Sequence, residues 1–287
     1  MHKVHIVVDS TAAMLPELLL RHPNLHVVPL TVTLGQRQWR EDQLRSAELF
    51  SLMQASGEFP KTSQPAPGDF IAILQPIAAA GGEVVVITLS GGLSGTLQSA
   101  RTAAQLVDAA RVSVVDSGTT AIGLVKLAQQ ALALADAGLT AAEIAGRIAA
   151  VSQVTHTLFV PATLEFLRKG GRIGGAAALL GSILQIRPVL YLNGGKVEVL
   201  DKVRTWGKAL DRIAAEINRY SRLEYIGIVH SDAPQDAAKL QAKLAETLPP
   251  ERIGISAAGS VLAAHLGPGM VGAVCQLAAA PAGETGI

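Results

Sequence analysis

VVVITLSGGLSGTLQSARTAAQLV, from Val84 to Val107, contains the three parts of an α/β unit in order. It begins as an apolar, β-branched run, passes through a turn rich in glycine and serine, and continues with apolar residues at helical spacing. Leu97, Ala100 and Ala104 fall on one face of that helix, which predicts that the helix packs against a sheet. The stretch therefore predicts a strand, a turn and a helix, the unit from which α/β folds are built.

The same alternation of strand and helix patterns continues through the first half of the chain. The predicted strands lie at 4–8, 25–32, 84–89 and 111–115, and the predicted helices at 12–21, 46–56, 69–80, 96–110 and 119–137. Short β-branched runs that alternate with helical patterns are typical of a doubly wound sheet whose strands are mostly parallel. We therefore predict an α/β fold for this half.

The second half has a different pattern, because strand patterns follow one another directly. The runs RPVLYL and KVEVL are separated by Asn193-Gly194-Gly195, which predicts a hairpin because Asn and Gly tolerate positive φ. Two further strand patterns, at 225–229 and 252–256, flank a predicted helix at 234–247. This half is therefore predicted to contain a mixed or antiparallel sheet.

The length of 287 residues is enough for two domains at about 100 to 200 residues each. The change of pattern places the boundary between them near residue 152. We predict an N-terminal α/β domain over residues 1–152, with the mostly parallel sheet. Residues 153–287 are predicted to form a C-terminal α/β domain.

Composition argues against several classes of protein. The 24 basic and 23 acidic residues give a net charge of +1, so neither nucleic acid nor an anionic membrane is an expected partner. The single cysteine, Cys275, allows neither a disulfide framework nor a cysteine metal site.

The longest apolar stretch, 174–192, is interrupted at 185–188 and is not expected to span a membrane. Because Asp9 interrupts the first apolar run, we expect no signal peptide and a cytoplasmic protein.

The turn at residues 90–96 carries the groups from which a binding site could be built. It lacks the lysine of a phosphate-binding P-loop and the glycine spacing of a dinucleotide site. It matches the nucleophile elbow G-x-S-x-G only in part, because Thr96 stands where the last glycine should be. The Ser94 and Thr96 hydroxyls, Gly95 and the N–H donors of the helix N-terminus instead indicate a site for a carboxylate or a phosphate. Ser94 as a simple helix N-cap is the alternative.

Other segments carry polar groups that a doubly wound sheet would bring towards this turn. Residues 60–65, PKTSQP, are predicted to form a loop with two hydroxyls. Residues 9–11 and 116–118 follow predicted strands, whose carboxyl ends line one crevice in such sheets. Residues 170–172, Gly-Gly-Arg, are predicted to end a helix, and His265 lies in an irregular turn. Each of these also has a purely structural interpretation, as a turn, a cap or an isolated histidine.

Taken together, seven motifs resemble those of the DegV family in order and approximate spacing. They are VVDST, KTSQP, SGGLSGT, VVDSGTTAIGL, FLRKGGRIGG, DKVRTWGKAL and HLGPGMVG, and they span nearly the whole chain. The resemblance implies a two-domain α/β protein that holds one fatty acid between its domains, as the fatty-acid-binding subunit of bacterial fatty acid kinase. It also implies that this subunit has no catalytic centre and no cofactor. A separate ATP-using kinase subunit would phosphorylate the bound carboxylate to an acyl phosphate.

The resemblance also implies roles for individual residues. Thr62 of TSQP and Ser94 of LSGT resemble the hydroxyls that bind the carboxylate, with the Gly95 amide beside them. His265 of HLGPG and Arg172 of GGRIG resemble the polar network behind that head group.

Arg204 of VRT resembles the exposed arginine that engages the kinase partner. The chain also departs from the family pattern at three positions. Gly91 replaces a common serine, Leu97 an aromatic residue and Trp206 a basic residue. Because Trp206 is two residues from Arg204, this departure affects the predicted docking surface for the kinase partner.

A fatty acid tail would supply most of the affinity of such a site. Burying about 14 methylenes at roughly 0.8 kcal/mol each contributes on the order of 11 kcal/mol before the cost of ordering the chain. We predict mostly aliphatic tunnel walls, formed by the apolar residues of 176–186 among others. Two classes of function remain open: a non-enzymatic carrier of a fatty acid or another amphiphile, and a hydrolase or acyltransferase with Ser94 as nucleophile and His265 as base.

Overall fold

The computed structural model describes residues 4–12, 16–180 and 186–278. The strands are β1 (His5–Asp9), β2 (Leu25–Val28), β3 (Thr31–Leu34), β4 (Arg37–Arg40), β5 (Lys61–Ser63), β6 (Val84–Thr88), β7 (Val112–Asp116), β8 (Thr155–Val160), β9 (Arg187–Asn193), β10 (Lys196–Val203), β11 (Leu223–Ser231), β12 (Ile253–Ala257) and β13 (Met270–Leu277). The helices are α1 (Pro16–Arg21), α2 (Ser46–Ser56), α3 (Pro67–Ala79), α4 (Thr96–Val107), α5 (Ile122–Asp136), α6 (Ala141–Gln153), α7 (Glu165–Lys169), α8 (Trp206–Ile217), α9 (Pro234–Leu244) and α10 (Ser260–Leu266).

The N-terminal part is built on a parallel sheet with the strand order β2-β1-β6-β7. Every residue of β6 is buried, because helices cover both faces of the sheet. Phe70 of α3 and Ala100 of α4 pack with Val86 on one face, while Leu124 of α5 packs with Ile87 on the other. The prediction of a doubly wound parallel sheet is confirmed.

The carboxyl ends of the parallel strands meet at one edge, and the last residues of two of these strands hold the loop that contains the turn at 90–96. The backbone N–H of Leu89 donates to Asp9 Oδ2 at 2.5 Å, and the N–H of Gly91 donates to Asp116 Oδ1 at 3.1 Å. The carboxylates of Asp9 and Asp116, the last residues of β1 and β7, therefore fix the loop after β6. This is the convergence that the sequence predicted for Asp9 and Asp116.

A small antiparallel sheet with the order β4-β3-β5 was not predicted. The sequence pattern predicts one strand over 25–32, but the strand divides at Pro29, which has no N–H to donate to a continuing ladder. The chain turns there, and β3 pairs with β4 and β5 instead. The PKTSQP segment was predicted to be a loop, yet Thr62 lies in β5 and pairs with Val32.

The C-terminal part contains a mixed sheet with the order β10-β9-β8-β13-β11-β12. Strands β11 and β12 are parallel, and the other neighbours are antiparallel. The predicted hairpin joins β9 to β10, and Gly194 and Gly195 have φ of 53° and 77° as a tight turn requires. One face of the sheet packs against α8 and α9 through Leu210, Ile213 and Leu240. The mixed sheet is therefore confirmed, while the boundary near residue 152 stays a prediction.

The apolar stretch 174–192 is divided between short elements. Residues Gly174–Leu179 form a 3₁₀ helix, and Arg187 begins β9. Residues 181–185 lie outside the described residues. In the part of the chain that the structure describes, no helix is long and apolar enough to cross a bilayer.

Candidate functional site

A cavity lies between the carboxyl edge of the parallel sheet and the inner face of the mixed sheet. Helix α10, strands β8, β11 and β13, and the turn at 90–96 all contribute to its wall. Of the 21 described residues that line it, 15 are apolar and only Phe159 is aromatic. The prediction of mostly aliphatic walls is therefore confirmed for this cavity.

Two of the three residues predicted to bind the carboxylate, Thr62 and Ser94, line this cavity, as do both residues of the predicted polar network, Arg172 and His265. They come from β5, the loop after β6, the loop after α7 and the end of α10. Thr62 Oγ1 and His265 Nε2 form a hydrogen bond of 2.7 Å, although the two residues are 203 positions apart in the sequence. The structure thus collects distant polar groups at one place in an otherwise apolar wall.

His265 is neutral at physiological pH. Burial lowers its pKa to about 4, with a smaller contribution in the same direction from the nearby positive charge of Arg172. Its Nδ1 atom is buried and has no hydrogen-bond partner among the described residues. A Cβ added at Gly170 would collide with that atom, so the Gly-Gly-Arg segment packs directly against the imidazole.

Ser94 lies one residue before the N-cap of α4, which is Gly95 rather than Ser94. The Ser94 hydroxyl is 2.9 Å from Thr96 Oγ1 and accepts a hydrogen bond from the Thr96 N–H at 3.3 Å. The simple N-cap alternative is therefore wrong as to position, although Ser94 does satisfy one donor of the first turn.

Gly95 contacts a residue that the sequence analysis did not select. A Cβ at Gly95 would collide with the Gln64 side-chain amide, whose Nε2 donates to Ser99 Oγ at 3.1 Å. The TSQP segment therefore packs closely on the start of α4, and a larger residue at position 95 would have to displace the Gln64 amide. The glycine and the glutamine were visible in the sequence, but nothing in it showed that they touch.

Arg172 connects the C-terminal part to the turn. Its Nε donates to the Leu93 carbonyl at 3.0 Å, and its Nη1 donates to the Gly170 carbonyl at 2.7 Å. These bonds fix the guanidinium beside the cavity. Arg172 is thus held by backbone carbonyls rather than by a carboxylate.

The tip of the β9–β10 hairpin also rests on the turn, a contact that the sequence analysis missed. A Cβ at Gly92 would lie 2.5 Å from the carbonyl oxygen of Gly195 and 2.8 Å from its Cα. A Cβ at Gly195 would in turn collide with Ser90 Oγ. The two backbones are therefore in direct contact, which requires glycine on both sides.

Arg204 is exposed, lies between β10 and α8, and does not line the cavity. Trp206 is the first residue of α8, and its ring centroid is 5.9 Å from the guanidinium of Arg187. Arg204 therefore occupies a surface position, as the resemblance implied.

The predicted tunnel segment, residues 176–186, is not part of the described wall. Ala176 and Leu179 are buried in the adjoining apolar cluster but do not line the cavity. Residues 181–185 lie outside the described residues. The described part of the wall is formed by residues such as Leu158, Val229 and Val274. Single-sequence hydropathy could not distinguish these from ordinary core.

Two buried carboxyl groups lie next to the site, and only one of them was selected from the sequence. Burial raises the pKa of Asp9 to about 6 and that of Glu41 to about 7, although both accept hydrogen bonds. Asp9 accepts from Thr11 and Leu89, and Glu41 accepts from Ser10 and Val261. Glu41 follows a largely exposed strand, and no pattern in the sequence singles it out.

The raised pKa of Glu41 gives a testable dependence of stability on pH. Between pH 4.5 and 7 the unfolded chain loses this proton while the folded chain retains it, so the free energy of unfolding falls as pH rises. Glu41→Gln removes this titration. We expect urea denaturation to show that the difference in free energy of unfolding, variant minus wild type, increases by roughly 2 kcal/mol from pH 4.5 to pH 7. A difference that does not change with pH would contradict the assigned pKa.

Comparison with known proteins agrees with this architecture. The model of the DegV family, described as an uncharacterised protein family, matches residues 3–277. A DegV domain-containing protein of Listeria innocua is 32% identical over 277 residues, which cover 94% of this chain and 97% of that protein.

Two solved structures are also similar. A DegV family protein from Thermus thermophilus, described by its fatty acid binding, has a TM-score of 0.87 and 33% identity, covering 96% of this chain and 100% of that one. A fatty acid binding DegV family protein from Streptococcus agalactiae has a TM-score of 0.84 and 27% identity, covering 97% and 100%. On the extent of the family match and of these similarities, the chain belongs to the DegV family.

Proposed function

We propose that this protein binds a long-chain fatty acid in the cavity and presents its carboxylate to a separate ATP-dependent fatty acid kinase, which forms the acyl phosphate. The observation that carries the proposal is an aliphatic cavity with the polar groups Thr62, Ser94, Arg172 and His265 in its wall. Fatty acid binding by the Thermus and Streptococcus proteins supports it. Because the kinase step consumes ATP, we place the protein in the cytoplasm.

Thr62 and Ser94 are the proposed ligands of the carboxylate, with the Gly95 amide beside them. A carboxylate removed from water needs several donors, and hydroxyl and backbone N–H groups supply them without an opposite charge. If His265 Nε2–H donates to Thr62 Oγ1, the Thr62 hydroxyl proton is free to donate to the ligand. This arrangement requires the neutral imidazole to carry its proton on Nε2.

The apolar wall would bind the acyl tail and provide most of the affinity. Each methylene that leaves water contributes about 0.8 kcal/mol, so a chain of 14 or more contributes far more than one head group. The head-group contacts therefore serve mainly to fix the position of the carboxylate. This division of roles suits a protein that presents its ligand to another one.

The geometry favours a carrier over a hydrolase or acyltransferase. A serine nucleophile needs a hydrogen bond to its base, but Ser94 Oγ is bonded to Thr96 while His265 Nε2 is bonded to Thr62. A histidine with a pKa of about 4 is also a weak general base at pH 7. We therefore propose that the protein has no catalytic centre of its own.

Native mass spectrometry of the purified protein tests the proposal. We expect a bound species with the mass of a fatty acid, present after purification or after addition of palmitic acid. Its retention should decrease in Ser94→Ala. A consistently empty protein that hydrolyses esters, with turnover abolished by Ser94→Ala, would instead establish the hydrolase.

Arg204→Ala should separate ligand binding from presentation. Arg204 is exposed and has no ion pair among the described residues, so its loss should not alter the cavity. We expect the variant to retain palmitic acid while its phosphorylation by the cognate kinase falls about tenfold, because one charged contact at an interface is lost. Arg147→Ala, an exposed arginine on α6, is the matched control. Equal rates for all three proteins would show that Arg204 has no part in docking.

A further inference from the structure

Helix α10 is bonded to the small three-stranded sheet at both of its ends. At its beginning the N–H of Val261 donates to Glu41 Oε1 at 3.0 Å. At its end His265 Nε2 is 2.7 Å from Thr62 Oγ1. Glu41 directly follows β4 and Thr62 lies in β5, so both bonds reach the same sheet. Glu41 and Thr62 therefore attach both ends of this short helix to the same small sheet.

Glu41 is itself held in place before it meets the helix. Its backbone N–H donates to the Leu30 carbonyl at 2.9 Å. Its Oε2 accepts from Ser10 Oγ at 2.5 Å, and Ser10 Oγ accepts from the Leu30 N–H at 2.9 Å. The side chain is almost completely buried, at 8% exposure. The carboxyl group therefore has one position relative to the sheet.

The start of α10 is fitted closely to this carboxyl group. A Cβ added at Gly259, the N-cap of α10, would collide with Glu41 Oε1. A larger residue at position 259 would therefore have to displace the Glu41 carboxyl group. No ligand is needed to explain the contact, because every polar atom of the Glu41 carboxyl group is already bonded within the protein.

Helix α10 also carries part of the cavity wall. Val261, Leu262, His265 and Leu266 all line the cavity, and Val261 and His265 are four residues apart on the same side of the helix. Movement at the Val261 end would therefore move the imidazole away from Thr62. One helical turn of α10 therefore connects the contact at Glu41 with the head-group site at His265.

We infer that Glu41 is a positioning residue for the carboxylate site, holding the start of α10 so that His265 stays bonded to Thr62. The inference rests on the proposed function, because it assigns Glu41 to the head-group end of the same cavity. Glu41 itself does not line the cavity. Its effect should therefore appear in the recognition of the head group rather than of the tail.

The test compares two ligands that share a tail but differ in head group, palmitic acid and hexadecan-1-ol. Their affinities are measured by competition with bound cis-parinaric acid, and folding is checked by circular dichroism and urea denaturation. We expect Glu41→Ala to lower the preference for the acid over the alcohol about tenfold, since one hydrogen bond to a charged group is weakened. Equal losses for acid and alcohol would indicate a purely structural role and would overturn the inference.

Glu83→Ala is the matched control. Glu83 Oε2 accepts from the N–H of Ala141, the first residue of α6, at 2.7 Å, so this variant also loses a bond between a glutamate and a helix N-terminus. Helix α6 does not line the cavity among the described residues. We expect this variant to keep the acid preference of the wild type. A drop equal to that of Glu41→Ala would overturn the inference.

Two further variants keep the test decisive if Glu41→Ala does not fold. Glu41→Gln retains an oxygen that can accept from Val261 and should keep the acid preference within about threefold of the wild type. Gly259→Ala pushes the Glu41 carboxyl group away and should lower the preference. A lowered acid preference in Glu41→Gln together with an unchanged preference in Gly259→Ala would overturn the inference. A wild-type protein that binds neither ligand would instead refute the proposed function, so the two failures are distinguishable.

Discussion

Replacing Thr62 with valine and Ser94 with alanine in one chain should weaken the binding of palmitic acid about 100-fold. Each change removes one hydroxyl from the wall at the head-group end and keeps the side chain near its original size. A hydrogen bond to a charged group contributes about 1.5–3 kcal/mol, and 1.4 kcal/mol corresponds to a factor of ten. Two such losses give the expected effect, which isothermal titration calorimetry would measure.

The same double variant should bind hexadecan-1-ol within about threefold of the wild type, because the tail contacts are unchanged and the alcohol brings no charge into the cavity. Thr33→Val with Ser51→Ala is the matched control. It removes one threonine and one serine hydroxyl from β3 and α2, away from the cavity. If the alcohol lost as much affinity as the acid, the two hydroxyls would be structural, and the proposed carboxylate site would be wrong.

The fold was predictable where the relevant interactions are local in the sequence. The apolar run of β6 and the single apolar face of α4 specify a buried strand and a covering helix. The glycines after Asn193 likewise specify the β9–β10 hairpin. Periodicity and turn chemistry act over a few residues, so a single sequence contains them in full.

The small sheet and its contacts were not predictable because they depend on distant partners. Its strands are three or four residues long, too short for a period to be read. Pro29 prevents β2 from continuing, but a missing donor does not show where the next strand will pair. The role of Glu41 could not be predicted from its neighbours in the sequence, because Val261, whose N–H donates to it, lies 220 positions away.

The candidate site shows the same limit. From the residues alone the turn at 90–96 left a nucleophile, an anion site and a cap open, and the resemblance to a family selected Thr62, Ser94, Arg172 and His265. The structure adds the distances that bear on this choice, above all the 2.7 Å between Thr62 and His265. No pattern in one sequence specifies that pairing, because it arises from the packing of α10 on a sheet formed by the other half of the chain.

The contact between the hairpin tip and the turn leads to the other large effect, which is expected for Gly92→Ala. The added Cβ would lie 2.5–2.8 Å from three backbone atoms of Gly195, and backbone cannot move aside as a flexible side chain can. Either the hairpin or the turn at 90–96 must shift, which should lower the free energy of unfolding by about 3 kcal/mol. Because Ser94 lies in that turn, the affinity for palmitic acid should fall at least about tenfold.

Gly146→Ala is the matched control for the chemistry of this substitution. Gly146 lies inside α6 with no atom within 4 Å of an added Cβ, so alanine should raise the free energy of unfolding by about 0.5–1 kcal/mol and leave ligand affinity unchanged. Opposite signs for the two variants in urea denaturation would locate the effect in the contact between Gly92 and Gly195. If Gly92→Ala matched the wild type in stability and affinity, the hairpin would not rest on the turn in solution, and the β9–β10 tip would have no part in holding Ser94.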